Sequence, residues 1–253
     1  MKNIFLLFLL LLSIRLNGQK ITKSEKNLAT SVYVKSGFGY YAIRDEVISK
    51  EKYQGTVVPF ELIWKQQREN YDWQFSGFYQ QGSTIKNYIV ACDIRVMQLS
   101  WDYLYTVSRG TLFSKQLNLE VGPSPEIFVH FRQQDIVETR TELYSFASLI
   151  SMAANARADY TISNKIGLDI FARLSLLSVG LRMVDFEKSD EKFMKPLTAL
   201  KGLNYNQGIS LNYSIFSGLA LSATYQLNIT RISAWEYFIS SNDNFLLVLS
   251  YSF

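Results

Sequence analysis

Phe245-Leu246-Leu247-Val248-Leu249-Ser250-Tyr251-Ser252-Phe253 ends the chain, and its reading decides the fold. The odd positions Phe245, Leu247, Leu249, Tyr251 and Phe253 form an apolar stripe, while the even positions finish in Ser250 and Ser252. Successive side chains point to opposite faces of a strand, so this is a strand with one apolar face that persists to the last residue. A strand that closed a soluble core would not need a free C-terminal aromatic. A strand with one face in lipid would use one.

An aromatic last residue on such a stripe closely resembles the closing strand of Gram-negative outer-membrane β-barrels. The resemblance implies that Leu249, Tyr251 and Phe253 belong to a signal read by the barrel-assembly machinery. It also implies an outer-membrane lipid environment for the outward face. It marks no narrower subfamily.

The other end of the chain is consistent with export. Lys2 supplies a positive start, Ile4 to Leu12 is an unbroken apolar run, and Asn17-Gly18-Gln19 offers a small residue at a cleavage point. Residues 1–18 are therefore read as a signal peptide and residues 19–253 as a single barrel domain. The apolar run is about half the roughly 20 residues that a spanning helix needs, and no other segment comes closer. No cysteine follows it, so lipid attachment there has no support.

A mean hydropathy of zero and 19% charged residues look soluble. A barrel that alternates lipid-facing apolar with lumen-facing polar residues averages to the same value. The aromatic share of 15% is more telling. Tyr and Trp favour membrane–water interfaces, and here Trp64, Tyr71, Trp73, Tyr105, Tyr160 and Tyr213 are assigned to one rim, with Tyr40, Tyr144 and Trp235 at the other. Cys92 is the single cysteine, which excludes an intrachain disulfide. Loss of Lys2 and Arg15 with the signal peptide lowers the formal charge from +4 to +2, too little to argue for nucleic acid.

About ten strands are expected near 32–43, 56–66, 71–82, 93–107, 114–132, 143–162, 166–183, 202–216, 219–232 and 244–253. Short turns fall at 67–70, Ser108–Gly110, 163–165 and 217–218, and longer polar connections at 44–55, 83–92, 133–142, 184–201 and 233–243. This is a closed up-and-down antiparallel transmembrane β-barrel, with short periplasmic turns, longer outer loops and both termini on the periplasmic side. Alternation is strongest near the C-terminus, where Leu203, Tyr205, Ile209, Leu211 and Tyr213 oppose Asn204, Asn206, Ser210, Asn212 and Ser214. A one-residue slip would exchange the faces and put a row of amides into lipid, so the register is tightly specified. The phase of 166–183 slips near Leu177, which reads as a β-bulge.

With apolar residues outward, the lumen receives Lys35, Glu61, Lys65, Asp102, Glu120, His130, Arg157, Asp159, Asp169, Arg173 and Arg182. Facing Lys or Arg to lipid at the midplane costs about 2–4 kcal/mol, so the inward placement is the lower in energy. The tight turn at 163–165 should gather Arg157, Asp159, Asp169 and Arg173 into one cross-strand cluster. This network is either an ion path or a set of paired charges filling a narrow barrel, and the small diameter of a ten-stranded barrel favours filling. Pro123 and Pro125 interrupt the fifth strand; a kink where that strand leaves the bilayer is the expectation, a fold into the lumen or toward a partner the alternative. The charged stretch 184–201 reads as a solvated outer loop and the largest candidate surface for a partner.

Catalytic patterns are sparse. His130 is the only histidine and is placed at the outer rim. Outer-membrane lipid-modifying hydrolases that the chain could resemble use a His-x-Ser pair, but Arg132 stands two residues after His130. Protease barrels pair histidine with aspartate, and although Asp135 is near in sequence, no Asp-His dipeptide occurs. There is no phosphate-binding Gly-rich loop, metal-ligand spacing or calcium loop, so no cofactor or metal is expected. The leading expectation is a non-enzymatic structural or accessory subunit of an outer-membrane assembly, with outer-membrane or periplasmic proteins as partners. A narrow pore for small solutes is the alternative, and a hydrolase using His130 the more remote one.

Overall fold

A computed structural model describes residues 29–46, 49–86, 91–136, 141–185, 192–198, 201–233 and 237–253. Residues 1–18 and Trp235 lie outside this set. The strands are β1 (Ala29–Asp45), β2 (Ser49–Gln67), β3 (Tyr71–Lys86), β4 (Ala91–Leu112), β5 (Lys115–Ile136) and β6 (Thr141–Thr161). They continue as β7 (Ile166–Asp185), β8 (Lys192–Thr198), β9 (Gly202–Phe216), β10 (Leu219–Ile232) and β11 (Phe238–Ser252). Antiparallel ladders join neighbours around the wall, and β1 pairs with β11 to close it. β8 and β9 share one edge of β7, β8 along Leu177–Met183 and β9 along Ile166–Leu174, so eleven strands fill ten positions.

The wall is strongly staggered. Arg68 donates its N–H to the Tyr71 carbonyl next to Gln67, which faces Ala29 at the foot of β1. From Tyr71 the paired row runs through Tyr105, Val121, Ala156, Ala172, Gln207, Leu227 and Asp243, and meets β1 again at Tyr40. Rows therefore climb toward the end opposite the termini as they pass from β2 to β11, which is the strand tilt that barrel closure requires.

Alternation accounts for the lower half, the half holding the termini. Leu62, Leu99, Ile170, Leu211, Leu247 and Leu249 are exposed on the outside, while Lys35, Glu61, Asp102, Asn206 and Thr224 are buried inside. The expected bulge is present, because pairing slips from Met152 opposite Leu177 to Ala153 opposite Ser175. Gly218 turns β9 into β10 at φ +86°, a conformation open to glycine without steric cost. Between β4 and β5 the turn is Phe113-Ser114, both at positive φ, rather than Ser108–Gly110. The ladder shifts register between Thr106 and Ser108 and then continues through Gly110, paired with Leu117, so the hairpin extends further.

Strands also run further than expected at the other end. Residues 46–48, 87–90, 137–140 and 233–237 are all that separate the strands there, and the stretch 184–201 contains β8. The reason is visible in the side chains. Above the lipid-facing band the period of two continues with its polarity inverted: Arg44, Lys52, Gln54, Gln81, Asp93, Arg95 and Arg231 face out, while Tyr41, Ile43, Tyr53, Ile94, Ile232 and Phe238 are buried inside. A search for apolar-out strands stops where that inversion begins.

Pro123 and Pro125 occupy neither the rim nor the lumen. They face outward in mid-wall, paired with Ala154 and Met152 of β6, while β4 and β5 have no paired residues between Ser100–Glu126 and Tyr105–Val121. Proline has no N–H to donate, so this ladder loses its bonds where both prolines turn that side toward β4. Gly122 completes the break, since a Cβ there would lie 1.8 Å from the Tyr103 carbonyl oxygen.

Candidate functional site

The lumen is the place where this fold gathers chemistry, and its two halves differ. In the lower half Lys35 Nζ lies 3.0 Å from Glu61 Oε2, and Lys65 Nζ 2.8 Å from Asp72 Oδ2. Arg157 bonds Asp169 and, from Nε at 3.2 Å, Asp159. Asp102 is the most heavily used acceptor. It receives Arg173 Nη2 at 2.7 and 2.6 Å on its two oxygens, the Ser124 hydroxyl, and Gln74 Nε2 at 3.3 Å. Glu126, also buried, is held by Asn204 Nδ2 at 3.0 Å and Gln98 Nε2 at 3.1 Å.

The expected cluster of Arg157, Asp159, Asp169 and Arg173 is thus divided. Arg157 and the two aspartates meet, whereas Arg173 reaches across the lumen to Asp102 on β4. Local turn geometry brings the first three together, but the partner of Arg173 depends on how far the opposite wall is staggered. Glu120, buried and paired in register with Arg157, has no hydrogen-bond partner for Oε2. Among the described residues the lower lumen sets seven carboxyl groups, those of Glu61, Asp72, Asp102, Glu120, Glu126, Asp159 and Asp169, against four basic side chains, Lys35, Lys65, Arg157 and Arg173, a formal excess of three acidic groups. Arg109 lies lower still, held on the Glu69 carbonyl and Thr106 hydroxyl. A cavity of about 70 Å³ lies among these groups, lined in part by Lys35, Asp102, Asn155, Asp169, Phe171 and Arg173.

The upper half is filled but for a cavity of about 20 Å³ beside Tyr41, Phe78 and Phe128. Tyr41, Ile43, Tyr53, Val57, Phe78, Ile94, Val96, Phe128, Leu149, Leu197, Ile232 and Phe238 form one apolar core across the barrel. Two arginines are buried in it. Arg182 pairs with Asp45, whose other oxygen accepts the Ser145 hydroxyl at 2.9 Å, and the Arg132 guanidinium sits 4.0 Å above the Tyr53 ring. Of the residues in this half, Asp45 and Ser145 were not singled out in the sequence, because neither interrupts a recognisable strand pattern.

His130 is a correction. It lies inside this core rather than on the rim, wholly buried, stacked 6.1 Å from Tyr41 and edge-on to Phe238 at 5.2 Å. Neither ring nitrogen has a hydrogen-bond partner among the described residues. A general base must reach the proton it abstracts, and this imidazole reaches neither solvent nor an orienting group. Among the described residues no group of three or more His, Cys, Asp or Glu side chains could hold a metal ion.

No protein-family model and no curated protein matches the chain. Among solved structures it is similar to the outer membrane protease OmpT from Escherichia coli, with a TM-score of 0.54 at 9% identity over 92% of this chain and 99% of that one. It is also similar to the translocator domain of the autotransporter NalP from Neisseria meningitidis, with a TM-score of 0.45 at 7% identity over 99% of this chain and 95% of that one. Neisserial surface protein A matches with a TM-score of 0.38 at 13% identity over 88% of this chain and 97% of that one. These likenesses concern the fold alone: a closed antiparallel barrel of the Gram-negative outer-membrane kind.

Proposed function

We propose that this protein, built as a Gram-negative outer-membrane β-barrel, is a non-conducting subunit of an outer-membrane assembly, with a structural or accessory role and no catalytic one. The observation that carries the reading is the closed upper lumen. A solute path would have to cross an apolar core that is tied from β1 to β7 by the Asp45–Arg182 pair. Opening it would expose apolar side chains and unpair a buried arginine, and breaking a buried pair costs about 3–5 kcal/mol.

The outer surface supports a partner. On β4 the outward face turns charged at Arg95, yet the same row continues through Phe131, Phe146 and Met183 on β5, β6 and β7. Each step along that row climbs, so these half-buried apolar groups stand higher than Arg95, in the part of the wall where Arg44, Lys52 and Arg231 face out. Large apolar patches at polar heights mark interaction surfaces. β5 to β7 is therefore the face expected to meet another envelope protein, and the outer membrane the expected location.

Purification from native membranes in mild detergent, followed by planar-bilayer recording, tests this reading. The expected result is a stoichiometric partner, reduced by Phe131→Lys with Phe146→Lys, and no defined conductance. A lone monomer with steady unitary conductance would overturn it in favour of a pore for small solutes.

A further inference from the structure

We infer that the cavity in the lower lumen is a binding site for a primary ammonium group. Two buried acceptors mark it: Asn155 Oδ1 and Asp169 Oδ1 belong to residues 5% and 9% exposed, both line the cavity, and neither oxygen has a hydrogen-bond partner among the described residues. An amide oxygen and a carboxylate oxygen accept and do not donate, so their common complement is a group with several N–H donors. Polar groups buried without a partner are costly, which favours an occupant that serves both.

Charge favours a cation. The lining is formally balanced, with Glu61, Asp102 and Asp169 against Lys35, Arg157 and Arg173, while beyond it in the lower lumen the carboxyl groups of Asp72, Glu120, Glu126 and Asp159 outnumber Lys65 by three. Tyr33 and Phe171 add ring surface to its wall, and aromatic faces attract organic cations. Size and ligand count argue for an ammonium rather than a metal ion. Arg157 already occupies one oxygen of Asp169, and no metal-holding group exists among the described residues. About 70 Å³ is room for roughly five waters at ~10–15 Å³ each, enough for an ammonium head and a short alkyl stem. An ammonium can arrive on a free amine or on a lysine side chain of another polypeptide.

Thermal unfolding of the purified, detergent-folded barrel at neutral pH tests the site. The probes are n-propylammonium chloride and Nα-acetyl-lysine amide, compared with sodium chloride at equal ionic strength and with uncharged n-propanol. A saturable rise in unfolding temperature with n-propylammonium, above that with sodium chloride and n-propanol, is the expected result. A rise with the lysine derivative as well assigns the site to side chains; a rise with the free amine alone assigns it to small amines. Asn155→Leu keeps every charge and should abolish the rise. Asp169→Asn should abolish it too, although this variant also takes a partner from Arg157. Equal shifts with sodium chloride, no shift with either amine, or an undiminished rise in folded Asn155→Leu would overturn the assignment.

Discussion

The wall of this barrel obeys opposite polarity rules in its two halves. Below, Leu62 and Trp64 of β2 face out and Glu61 and Lys65 face in; above, on the same strand, Lys52 and Gln54 face out and Tyr53 and Val57 face in. The strand period never changes. The inversion is the one that a change of solvent outside would require, from hydrocarbon around the lower half to water around the upper. The lower half therefore holds its interior with ion pairs, and the upper half with an apolar core of the kind found in soluble proteins.

This contrast can be broken or sharpened by substitution. The largest effect is expected at the closing strand: Phe253→Asp should sharply reduce the folded barrel recovered from membranes, while Ser252→Ala leaves it near normal, as read by trypsin resistance. Normal levels of the Phe253 variant would separate the closing strand from the assembly signal.

Next in size, Asp102→Asn should destabilise the lower half by about 3–5 kcal/mol, because Arg173 is then buried without its anion. Asp102→Asn combined with Arg173→Gln should recover part of that loss in denaturant titrations. If the single and double variants fall together, the pair does not hold the lower lumen.

On one strand, Leu62→Arg places a charge in the lipid-facing band and should cost about 2–4 kcal/mol. Gln54→Arg, in the outward polar part of β2, should change stability by less than about 0.5 kcal/mol. Similar costs at the two positions would mean that the lipid boundary does not lie between them. A small effect, within about 1 kcal/mol, is also expected for His130→Phe, because no hydrogen bond is lost and the aromatic packing is kept. Envelope lipid profiles and proteolysis should also be unchanged in that variant. A lost hydrolytic activity in a barrel that still resists SDS would instead make His130 catalytic.

Much of the lower half was legible in the sequence. The inward residues Lys35, Glu61, Lys65, Asp102, Glu120, Arg157, Asp159, Asp169 and Arg173 all face the lumen, and the bulge near Leu177 is where the phase slip placed it. The upper half was not legible in the same way. Its strands read as loops because polar residues on the outside and apolar ones inside resemble the reverse of a lipid-facing strand. His130 was misplaced for the same reason: a position near the end of an apolar-out stretch looks like a rim, although the strand continues around it.

The sequence alone determined the closed antiparallel barrel and which face of each lipid-facing strand turns outward. A period of two is a local pattern, and a slip of one residue would be paid for along a whole strand. Only the tertiary structure decided that Arg173 meets Asp102, that Asp45 meets Arg182, and that the upper lumen is closed. Those partners lie on strands that do not pair with each other, 71 and 137 residues apart in the chain, and the stagger that aligns them is a property of the closed circuit rather than of any strand within it.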